Sequence, residues 1–366
     1  MRIAVPRETA AGERRVALTP EHVARLVREH HEVQVERGAG DAAGFPDAAY
    51  ASAGAAPVDG HAAAVARAEV VARVRAPRGP ENEDLPAGTV LVGLLSPDLD
   101  AERLALLAGR GISALAMERV PRITRAQAMD ALSSQATLAG YAAVILGAAA
   151  LPRILPMMTT AAGTLAPAKA FMVGAGVAGL QAIATARRLG AVVSAFDVRA
   201  AVKEQVRSLG ATFVEAPEVA AEGQGGYARE LGAQEEERVL GAIGAHLRDM
   251  DLVITTAQVP GRHAPRLVTA AMLQGMRPGS VVVDLATETG GNCEVTRAGE
   301  TVREGGVTVL GPVNLPSSVP FHASQLYGRN VATLLAHLAP QGRLVLDPAD
   351  EIVGPMLIVH GGKARL

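Results

Sequence analysis

Short apolar runs of strand length recur along the chain, separated by stretches in which apolar residues have helical spacing. In the first third of the chain these runs occupy residues 2–6, 33–36, 70–74, 90–95 and 112–117. A helix is predicted to begin at Pro20 with Thr19 as its N-cap, and another is predicted over residues 101–109. Strands that alternate with helices predict a parallel α/β sheet.

The same alternation resumes in the second half of the chain. Its strand-like runs occupy residues 169–173, 192–196, 212–214, 252–256, 281–285 and 307–310. Long helices over residues 130–151 and 324–338 are expected to connect the two halves. We therefore predict an α/β fold of two doubly wound Rossmann-like domains, with a cleft between them and two long linking helices. The first domain is assigned residues 1–135 plus 325–366, and the second residues 136–324.

Composition narrows the classes of protein that fit this pattern. Hydrophobic residues make up 49 % of the 366 residues, which is enough for two buried cores. The 35 basic and 37 acidic residues leave a net charge of −2, which gives no argument for nucleic-acid binding. The single cysteine, Cys293, excludes an internal disulfide, and no metal site is expected.

The chain gives no sign of a signal peptide or a membrane span. Met1 is followed directly by a charged, strand-like segment, and no apolar run reaches the roughly 18 residues that a span needs. The longest candidate, residues 142–151, is expected to be a buried helix. We therefore expect a protein of the reducing cytoplasm without direct membrane insertion.

A glycine-rich turn follows the first strand of the second domain. Gly174, Gly176 and Gly179 have the spacing G-x-G-x-x-G between a strand-like and a helix-like run. In this context the first glycine permits a tight turn, the second lets the backbone approach a pyrophosphate, and the third allows close packing of helix and strand. The helix N-terminus then offers N–H groups to the phosphates.

An acidic residue stands at the position that distinguishes two dinucleotides. Asp197 ends the next strand, 21 residues after Gly176. A carboxylate there binds both ribose hydroxyls of NAD(H) and repels the additional phosphate of NADP(H). The alternative is a glycine-rich turn in an alanine-rich helical protein. The strand–turn–helix–strand context and the acid favour an NAD(H) site.

Two further segments are expected near the cofactor. Ala257 and Gln258 follow the strand at 252–256, at the edge of the sheet where nucleotides bind, although a polar turn before Pro260 is the alternative. Residues 215–232 are glycine-rich and too long for a routine connection, so they form either a mobile lid or a surface insertion. The expected cofactor-binding residues are Gly174, Ala175, Gly176, Val177, Gly179, Asp197, Val198, Arg199, Gly226, Tyr227, Ala257 and Gln258.

Longer motifs connect the chain with a known family. They include PRITRAQAMDALSSQATLAGY, VAGLQAIATARRLGAVVSAFDVRAA and MRPGSVVVDLATETGGNCE. Over nearly its whole length the chain resembles the NAD(H)-binding component of proton-translocating nicotinamide nucleotide transhydrogenase, called domain I or the α1 subunit. The opening motif PRETAAGERRVALTP is shared with alanine dehydrogenase, a relative with the same fold.

The resemblance implies a loop of the first domain that acts on the nicotinamide. The matching residues are Arg122, Gln127, Asp130 and Ser133. The arginine would hold a pyrophosphate or the partner's cofactor, the glutamine a nicotinamide ribose and the neighbouring ring, and the last two residues the carboxamide. Without the resemblance these residues would be an ordinary helix start capped by Asp130. Tyr227 matches the tyrosine of the family's mobile loop, which favours the lid.

The resemblance also implies partners. The chain has one dinucleotide fingerprint, so hydride would pass between NADH on this chain and NADP⁺ on an NADP(H)-binding subunit. Transmembrane subunits would couple the transfer to proton movement. In the family this component is a homodimer. We therefore expect NAD(H) as the cofactor, NADP(H) on the partner, and a cytoplasmic location at the inner membrane through the partner subunits.

An alanine dehydrogenase-like activity is the main alternative. The substrate-binding arginine of that enzyme has a match in Arg15, but its lysine and histidine positions hold Arg75 and Ser96. Arginine stays charged near neutral pH and cannot shuttle a proton. Glu288 is the carboxylate nearest the position of its acid. Hydride transfer between two nicotinamides needs no such groups, which favours transhydrogenation. A third hypothesis is a non-catalytic NAD-binding module that signals through the Tyr227 loop.

Overall fold

The computed structural model describes residues 1–96, 100–216, 219, 229, 231–258 and 263–365. They form two compact units. The first comprises Met1–Gln135 and Pro316–Leu366, and the second comprises Ala136–Leu315. Both units alternate strands with helices, which confirms the predicted α/β class.

Each predicted strand is present, and several short strands join them. In chain order the strands are β1 (Arg2–Val5), β2 (Glu32–Glu36), β3 (Ala56–Val58), β4 (Val70–Arg75), β5 (Val90–Leu94), β6 (Ser113–Ala116), β7 (Met158–Thr160), β8 (Gly163–Leu165), β9 (Lys169–Val173), β10 (Val192–Phe196), β11 (Thr212–Val214), β12 (Leu252–Thr255), β13 (Val281–Asp284), β14 (Thr301–Glu304), β15 (Val307–Leu310), β16 (Leu357–His360) and β17 (Lys363–Ala364).

The described helices include both of the long helices that were predicted. In chain order they are α1 (Pro20–Arg28), α2 (Asp47–Ser52), α3 (His61–Val65), α4 (Glu81–Asp84), α5 (Ala101–Gly109), α6 (Ala131–Ala150), α7 (Val177–Arg188), α8 (Lys203–Ser208), α9 (Ala233–Leu247), α10 (Ala270–Gln274), α11 (Pro320–Leu338) and α12 (Val353–Met356). Helix α1 begins at Pro20 after the N-cap Thr19, as its sequence predicts.

The second unit is built on a seven-stranded sheet in the order β11-β10-β9-β12-β13-β15-β14. Its first six strands are parallel and follow the 3-2-1-4-5-6 order of dinucleotide-binding sheets. The prediction of six strands is wrong by one, because β14 pairs antiparallel with β15 at the edge. The residues of β14 are exposed or half-buried, so this strand has no apolar run in the sequence.

The first unit repeats this arrangement. Its sheet has the order β17-β16-β6-β5-β4-β1-β2-β3, and the six strands from β6 to β3 are parallel. They too follow the 3-2-1-4-5-6 order, and the carboxyl-terminal strand β16 adds antiparallel to β6. The two-domain Rossmann-like prediction is confirmed in both units.

Both faces of each sheet are buried, as a doubly wound fold requires. In β4, Val70 and Ala72 pack into one apolar cluster, whereas Val71 between them packs into another. In β9 the same alternation sends Met172 to one cluster and Phe171 to the other. Because successive strand residues point to opposite faces, these clusters lie on opposite sides of each sheet.

Helix α6 is both long and apolar. Among the residues that the structure describes, it alone is long and apolar enough to cross a membrane by length and composition. A core helix of a protein without membrane spans meets the same criterion, so this is weak evidence for a span. Some 39 % of its most apolar window is buried inside the structure.

Residues 316–324 pack with the first unit rather than with the second, to which the sequence analysis assigned them. Ser317 Oγ donates to the Gly12 carbonyl oxygen at 2.9 Å and accepts from the Arg14 N–H at 2.7 Å. Ser324 Oγ accepts from the Val16 N–H at 3.0 Å. These side-chain bonds to the backbone hold the start of α11 on the amino-terminal segment.

Candidate functional site

The glycine fingerprint forms a tight turn between β9 and α7. Strand β9 ends at Val173, Gly174 follows with a φ of +106°, and α7 begins at Val177 with Gly176 as its N-cap. Glycine adopts a positive φ readily, whereas other residues rarely do. The turn therefore brings the amino end of α7 to the carboxyl edge of the sheet, as the spacing predicts.

The three fingerprint glycines meet different spatial requirements. A Cβ at position 174 would lie 2.5 Å from Thr256 Oγ1, and a Cβ at position 179 would lie 1.9 Å from the Gly174 carbonyl oxygen. Both glycines are therefore needed for close packing. A Cβ at position 176 would meet no atom within 4 Å. The open space beside Gly176 fits a pyrophosphate at a helix N-terminus.

Asp197 follows β10 and is joined to this turn. Its Oδ2 accepts a hydrogen bond from the Ala175 N–H at 2.8 Å. Arg199 donates to Oδ1 from its backbone N–H at 2.9 Å and from Nε at 2.8 Å, and to Oδ2 from Nη2 at 2.7 Å. The side-chain hydrogen bonds to Asp197 raise the pKa of the Arg199 guanidinium. The sequence predicted both residues but not their pairing.

A cavity of about 120 Å³ lies beside Asp197 at the ends of β10 and β11. Its lining includes Val198 and Lys203, and Lys203 forms an ion pair with Glu215. Val177, at the start of α7, is 43 % exposed. The cavity adjoins the acid that is expected to bind the ribose, so it is the candidate site for the adenosine half of a dinucleotide.

The end of β12 approaches the fingerprint turn from the other side. Thr256 Oγ1 donates to the Gly174 carbonyl oxygen at 3.1 Å. Fully buried Asn292 donates from Nδ2 to the Ala257 carbonyl oxygen at 2.8 Å and accepts from the Ala257 N–H at 3.0 Å. One side chain thus fixes both backbone polar groups of Ala257, one of the predicted cofactor-binding residues.

Sequence reasoning missed Asn292 and also Asp284, which holds the loop after β13. Asp284 is fully buried and accepts four hydrogen bonds. Their donors are Thr255 Oγ1, the Ala286 N–H, the Cys293 N–H and Thr296 Oγ1, at 2.8 to 3.0 Å. A carboxylate that ends an apolar strand was the available signal for Asp284. No local pattern marks Asn292.

The remaining predicted residues of this unit are less fully described. Gln258 is exposed, and its Nε2 donates to the Leu285 carbonyl oxygen at 2.9 Å. Glu288, also exposed, accepts from the Asn314 N–H at 3.2 Å. Gly226 and Tyr227, on which the lid hypothesis depends, lie outside the described residues.

The loop singled out in the first unit is a short 3-10 helix, Thr124–Met129, directly before α6. Arg122 and Gln127 are exposed on this segment. Asp130 Oδ1 accepts from the Ser133 N–H at 2.9 Å, and its Oδ2 accepts from Ser133 Oγ at 2.6 Å. Asp130 therefore has the geometry of an N-cap of α6. The structure brings Asp130 and Ser133 into contact and leaves Gln127 on the surface of this unit.

Arg15, which matches the substrate-binding arginine of alanine dehydrogenase, lies in a buried cluster of ion pairs. Arg15 is 2 % exposed and donates to Glu13 from Nε at 2.7 Å and from Nη2 at 2.6 Å. Its Nη1 donates to Gln135 Oε1 at 2.8 Å. Arg75 reaches the same Glu13 carboxylate at 3.3 Å.

Ser96, at the position of the alanine dehydrogenase histidine, is exposed and has a φ of +47°. The described residues contain no group of histidine, cysteine and acidic residues that could hold a metal ion.

The two sheets, the glycine turn and the acid at the ribose position define a nucleotide-binding fold of the oxidoreductase type. The chain belongs to the alanine dehydrogenase/PNT family. The model of the N-terminal domain of this family matches residues 4–139, and that of the C-terminal domain matches residues 143–366. These matches cover both units of the structure.

Similarity to individual proteins extends over the same length. The chain is 45 % identical to the first part of NAD(P) transhydrogenase subunit alpha of Rhodospirillum rubrum, over 99 % of this chain and 97 % of that protein. It is 30 % identical to an alanine dehydrogenase of Halomonas elongata over 99 % of this chain and 94 % of that protein. The crystal structure of a transhydrogenase from Sinorhizobium meliloti matches all of both chains with a TM-score of 0.91 and 45 % identity. That of an L-alanine dehydrogenase matches with a TM-score of 0.85 and 29 % identity, over 100 % of this chain and 96 % of that one.

These findings confirm the resemblance drawn from the motifs. Homology to transhydrogenase subunit alpha supports an oxidoreductase role for the chain with a nicotinamide nucleotide as cofactor. The alanine dehydrogenases are more distant relatives with the same two-domain fold.

Glu8 adds a buried acid to the first unit. Its side chain is 3 % exposed, Oε1 accepts from the Val74 N–H at 2.6 Å, and Oε2 accepts from the Arg75 N–H at 3.2 Å. Burial raises the pKa of Glu8 from 4.5 to about 7, against the opposing attraction of Arg73. The folded protein therefore holds this proton more tightly than the unfolded chain does.

We expect this proton to make stability depend on pH. As the pH rises from 4.5 to about 7 the unfolded chain ionises first, so the free energy of unfolding falls across this window. Glu8→Gln cannot ionise, so its stability relative to the parent should rise by roughly 3 kcal/mol between pH 4.5 and the range above pH 7. The difference at low pH is set by the new amide, whose NH2 meets one of the two N–H donors that Glu8 accepts. Denaturant titrations at a series of pH values measure this difference. Exposed Glu32→Gln is the control, and a difference for Glu8→Gln that does not change with pH would contradict the prediction.

Proposed function

We propose that this chain is the NAD(H)-binding catalytic component of a proton-translocating NAD(P) transhydrogenase, which transfers hydride between NADH and NADP⁺ bound on a partner subunit. The observation that carries the proposal is the pairing of Arg15 with Glu13. An amino-acid dehydrogenase needs a cation for the substrate carboxylate, and here the matching guanidinium is buried against a carboxylate of the chain itself. The similarity to transhydrogenase subunit alpha over nearly the whole chain supports the same choice.

The proposed reaction depends on the positioning of two rings. When bound, NADH supplies a hydride from C4 of its dihydronicotinamide, and C4 of NADP⁺ accepts it without any proton exchange at either carbon. The residues of this chain therefore have to bind the dinucleotide and orient its ring. Orientation of two reactants can supply about 7–11 kcal/mol of the barrier. Arg75 and Ser96 replace the lysine and the histidine that shuttle protons in alanine dehydrogenase, and the proposed reaction requires no such groups.

Binding of NAD(H) is assigned to the second unit. The open space beside Gly176 at the amino end of α7 would receive the pyrophosphate. Asp197 would accept the ribose hydroxyls in exchange for part of its bonding to Arg199. Val198 lies beside the cavity proposed for the adenosine half. Gly226 and Tyr227 are proposed as the lid on the resemblance alone.

Orientation of the nicotinamide is assigned to the loop before α6. Gln127 and Arg122 are exposed and therefore accessible to a ligand. The hydrogen bonds between Asp130 and Ser133 fix the geometry of the following turn. We propose that Gln127 sets the ring position and that Asp130 and Ser133 hold the carboxamide.

The partners follow from the same proposal. A transhydrogenase needs an NADP(H)-binding subunit and transmembrane subunits that move protons, and this chain has one dinucleotide fingerprint. We propose that it is attached to the cytoplasmic side of the inner membrane through those subunits. The relative from Cereibacter sphaeroides is named NAD(P) transhydrogenase subunit alpha, and the match covers 70 % of that protein.

We also propose that the chain is a homodimer, because a strand hairpin of the second unit lacks cover. All six residues of β7 and β8 are exposed, and Met157 before them is 66 % exposed. A lone two-stranded hairpin is marginally stable in water. Two more apolar side chains of this unit are exposed on α6. They are Tyr141 at 42 % and Ile145, one turn later, at 40 %. A second copy of the chain would cover these apolar groups.

The proposed role of Gln127 predicts that its substitution slows hydride transfer but leaves NADH binding nearly unchanged. Gln127→Asn shortens the side chain by one methylene, so the ring should be misplaced while NADH still binds. We expect the NADH Kd to stay within about threefold and the single-turnover rate of transfer to NADP⁺ to fall about 10²-fold, with a purified NADP(H)-binding transhydrogenase component as partner. Arg125 on the same segment pairs with exposed Glu351, and Arg125→Ala should transfer hydride at the parental rate. A parental rate in Gln127→Asn would remove Gln127 from the mechanism.

The role of Asp197 predicts a change in cofactor selection. Loss of its carboxylate should weaken NADH binding by about 10- to 100-fold, as expected for charge-assisted hydrogen bonds. Asp197→Ala also releases Arg199, which can then attract a 2′-phosphate, so the ratio of NADPH to NADH affinity should rise. The double variant with Arg199→Ala should lose that gain. Calorimetric titration of both nucleotides measures each effect, and unchanged selectivity in Asp197→Ala would contradict the ribose contact.

The exposed hairpin predicts a dimer that added charge can break. We expect the parent to sediment as a dimer at micromolar concentration. The double variant Met158→Asp, Leu165→Asp should be monomeric, because dimer formation would bury the two introduced carboxylates. Val345→Asp in the first unit, where the valine is 49 % exposed, is the control. A monomeric parent, or a hairpin variant that remains dimeric, would exclude this interface.

A further inference from the structure

A buried asparagine on α11 contacts the loop that carries Gln127. Asn330 is 6 % exposed, and its side-chain amide is bonded at both ends. Nδ2 donates to the Ala128 carbonyl oxygen at 2.8 Å, and Oδ1 accepts from Ser134 Oγ at 2.8 Å. The residues that it joins stand immediately after Gln127 and immediately after Ser133.

The loop needs a stabilising contact from α11 because its own backbone hydrogen bonds are weak. A 3-10 helix such as Thr124–Met129 has poorer hydrogen-bond geometry than an α-helix and is stable only in short pieces. Ala126 and Met129 point into the apolar core, at 0 % and 4 % exposure. Gln127 and Ala128 between them are exposed. The bond from Asn330 fixes the Ala128 carbonyl and therefore the peptide between Ala128 and Met129, one residue beyond Gln127.

The other end of the amide connects to the start of α6. Ser134 Oγ lies 3.1 Å from the Ala131 carbonyl oxygen, and Gln135 Nε2 donates to Ser134 Oγ at 3.3 Å. Gln135 in turn accepts from Arg15 and donates to the Ala323 carbonyl oxygen at 3.1 Å on α11. These bonds stabilise the first turn of α6 against α11 within the first unit. Asn330 thus holds the segment at Ala128, directly after Gln127, and at Ser134, so that its two contacts flank Asp130 and Ser133.

We propose that Asn330 is a positioning residue for hydride transfer, which acts by fixing the peptide between Ala128 and Met129, one residue beyond Gln127. This inference rests on the proposed function, because it concerns the same loop. Asn330 is not itself proposed to contact NADH, and the residues proposed to bind its pyrophosphate and ribose, the fingerprint and Asp197, belong to the second unit. Its loss should therefore slow transfer and leave the affinity for NADH unchanged.

The test uses Asn330→Asp and the same hydride-transfer assay with a purified NADP(H)-binding component. The carboxylate keeps the acceptor for Ser134 but replaces the donor to Ala128 with a negative charge that faces a carbonyl oxygen. We expect the transfer rate to fall about 10-fold or more while the NADH Kd stays within twofold. In a Gln127→Asn background the same change should have little further effect, because both variants disturb one orientation.

Tyr327→Phe is the matched control. Tyr327 lies one turn before Asn330 on α11, is fully buried, and donates from its hydroxyl to the Arg73 carbonyl oxygen at 2.7 Å. Its loss should lower the melting temperature as Asn330→Asp does, since each removes a buried hydrogen bond, but should leave the transfer rate unchanged. A rate that falls equally in both variants would mean that Asn330 has only a structural role.

The outcomes separate this inference from the proposed function. If the parent transfers hydride and Gln127→Asn is slow, a parental rate in Asn330→Asp overturns the inference alone. If the parent transfers none to the NADP(H)-binding component, the proposed function and this inference both fail. If Asn330→Asp does not fold, Ser134→Ala removes one of the two bonds in a folded protein. We then expect a smaller slowing of about threefold, and a parental rate would overturn the inference.

Discussion

The arrangement of the second unit depends on the close approach of α7 to the end of β9. The Gly174 carbonyl oxygen accepts from Thr256 Oγ1, and it would lie 1.9 Å from any Cβ at position 179. Because no larger residue fits there, the helix can pack directly on the strand end. Its amino end then lies at the carboxyl edge of the sheet, next to Asp197. Under the proposed function, the partial positive charge of that helix end and the carboxylate would together select a dinucleotide with an unmodified ribose.

The first unit meets a different constraint, the burial of charge. Glu13, Arg15 and Arg75 form one cluster, and Glu8 and Arg73 lie next to it. Buried charges are tolerated when they are paired and hydrogen-bonded, and these groups use one another for that purpose. Glu13 therefore makes the Arg15 guanidinium part of a paired and buried cluster.

Local patterns in the sequence were sufficient for the fold and for part of the site. Buried parallel strands such as Val281–Asp284 are continuous apolar runs, and the glycine spacing with its acid has a direct mechanical meaning. The edge strands β3 and β14 were missed because an edge strand in contact with solvent need not be apolar. The segment with Arg122, Gln127, Asp130 and Ser133 has no distinctive local pattern, and the resemblance alone singled it out. Asn292 and Asn330 could not be predicted from the sequence for another reason. Each forms hydrogen bonds with residues far away in the sequence, and a single asparagine gives no periodic signal.

The central claim is that this chain positions NADH for direct hydride transfer and provides no proton chemistry of its own. The most direct test uses NADH deuterated at the transferred C4 position, NADP⁺ and a purified NADP(H)-binding transhydrogenase component. The account predicts that the deuterium appears at C4 of NADPH without loss to water, and only when both proteins are present. Loss of the label to solvent, or reduction of NAD⁺ by L-alanine on the isolated chain, would contradict the account. Either result would mean that this chain contains acid–base groups that take part in its reaction.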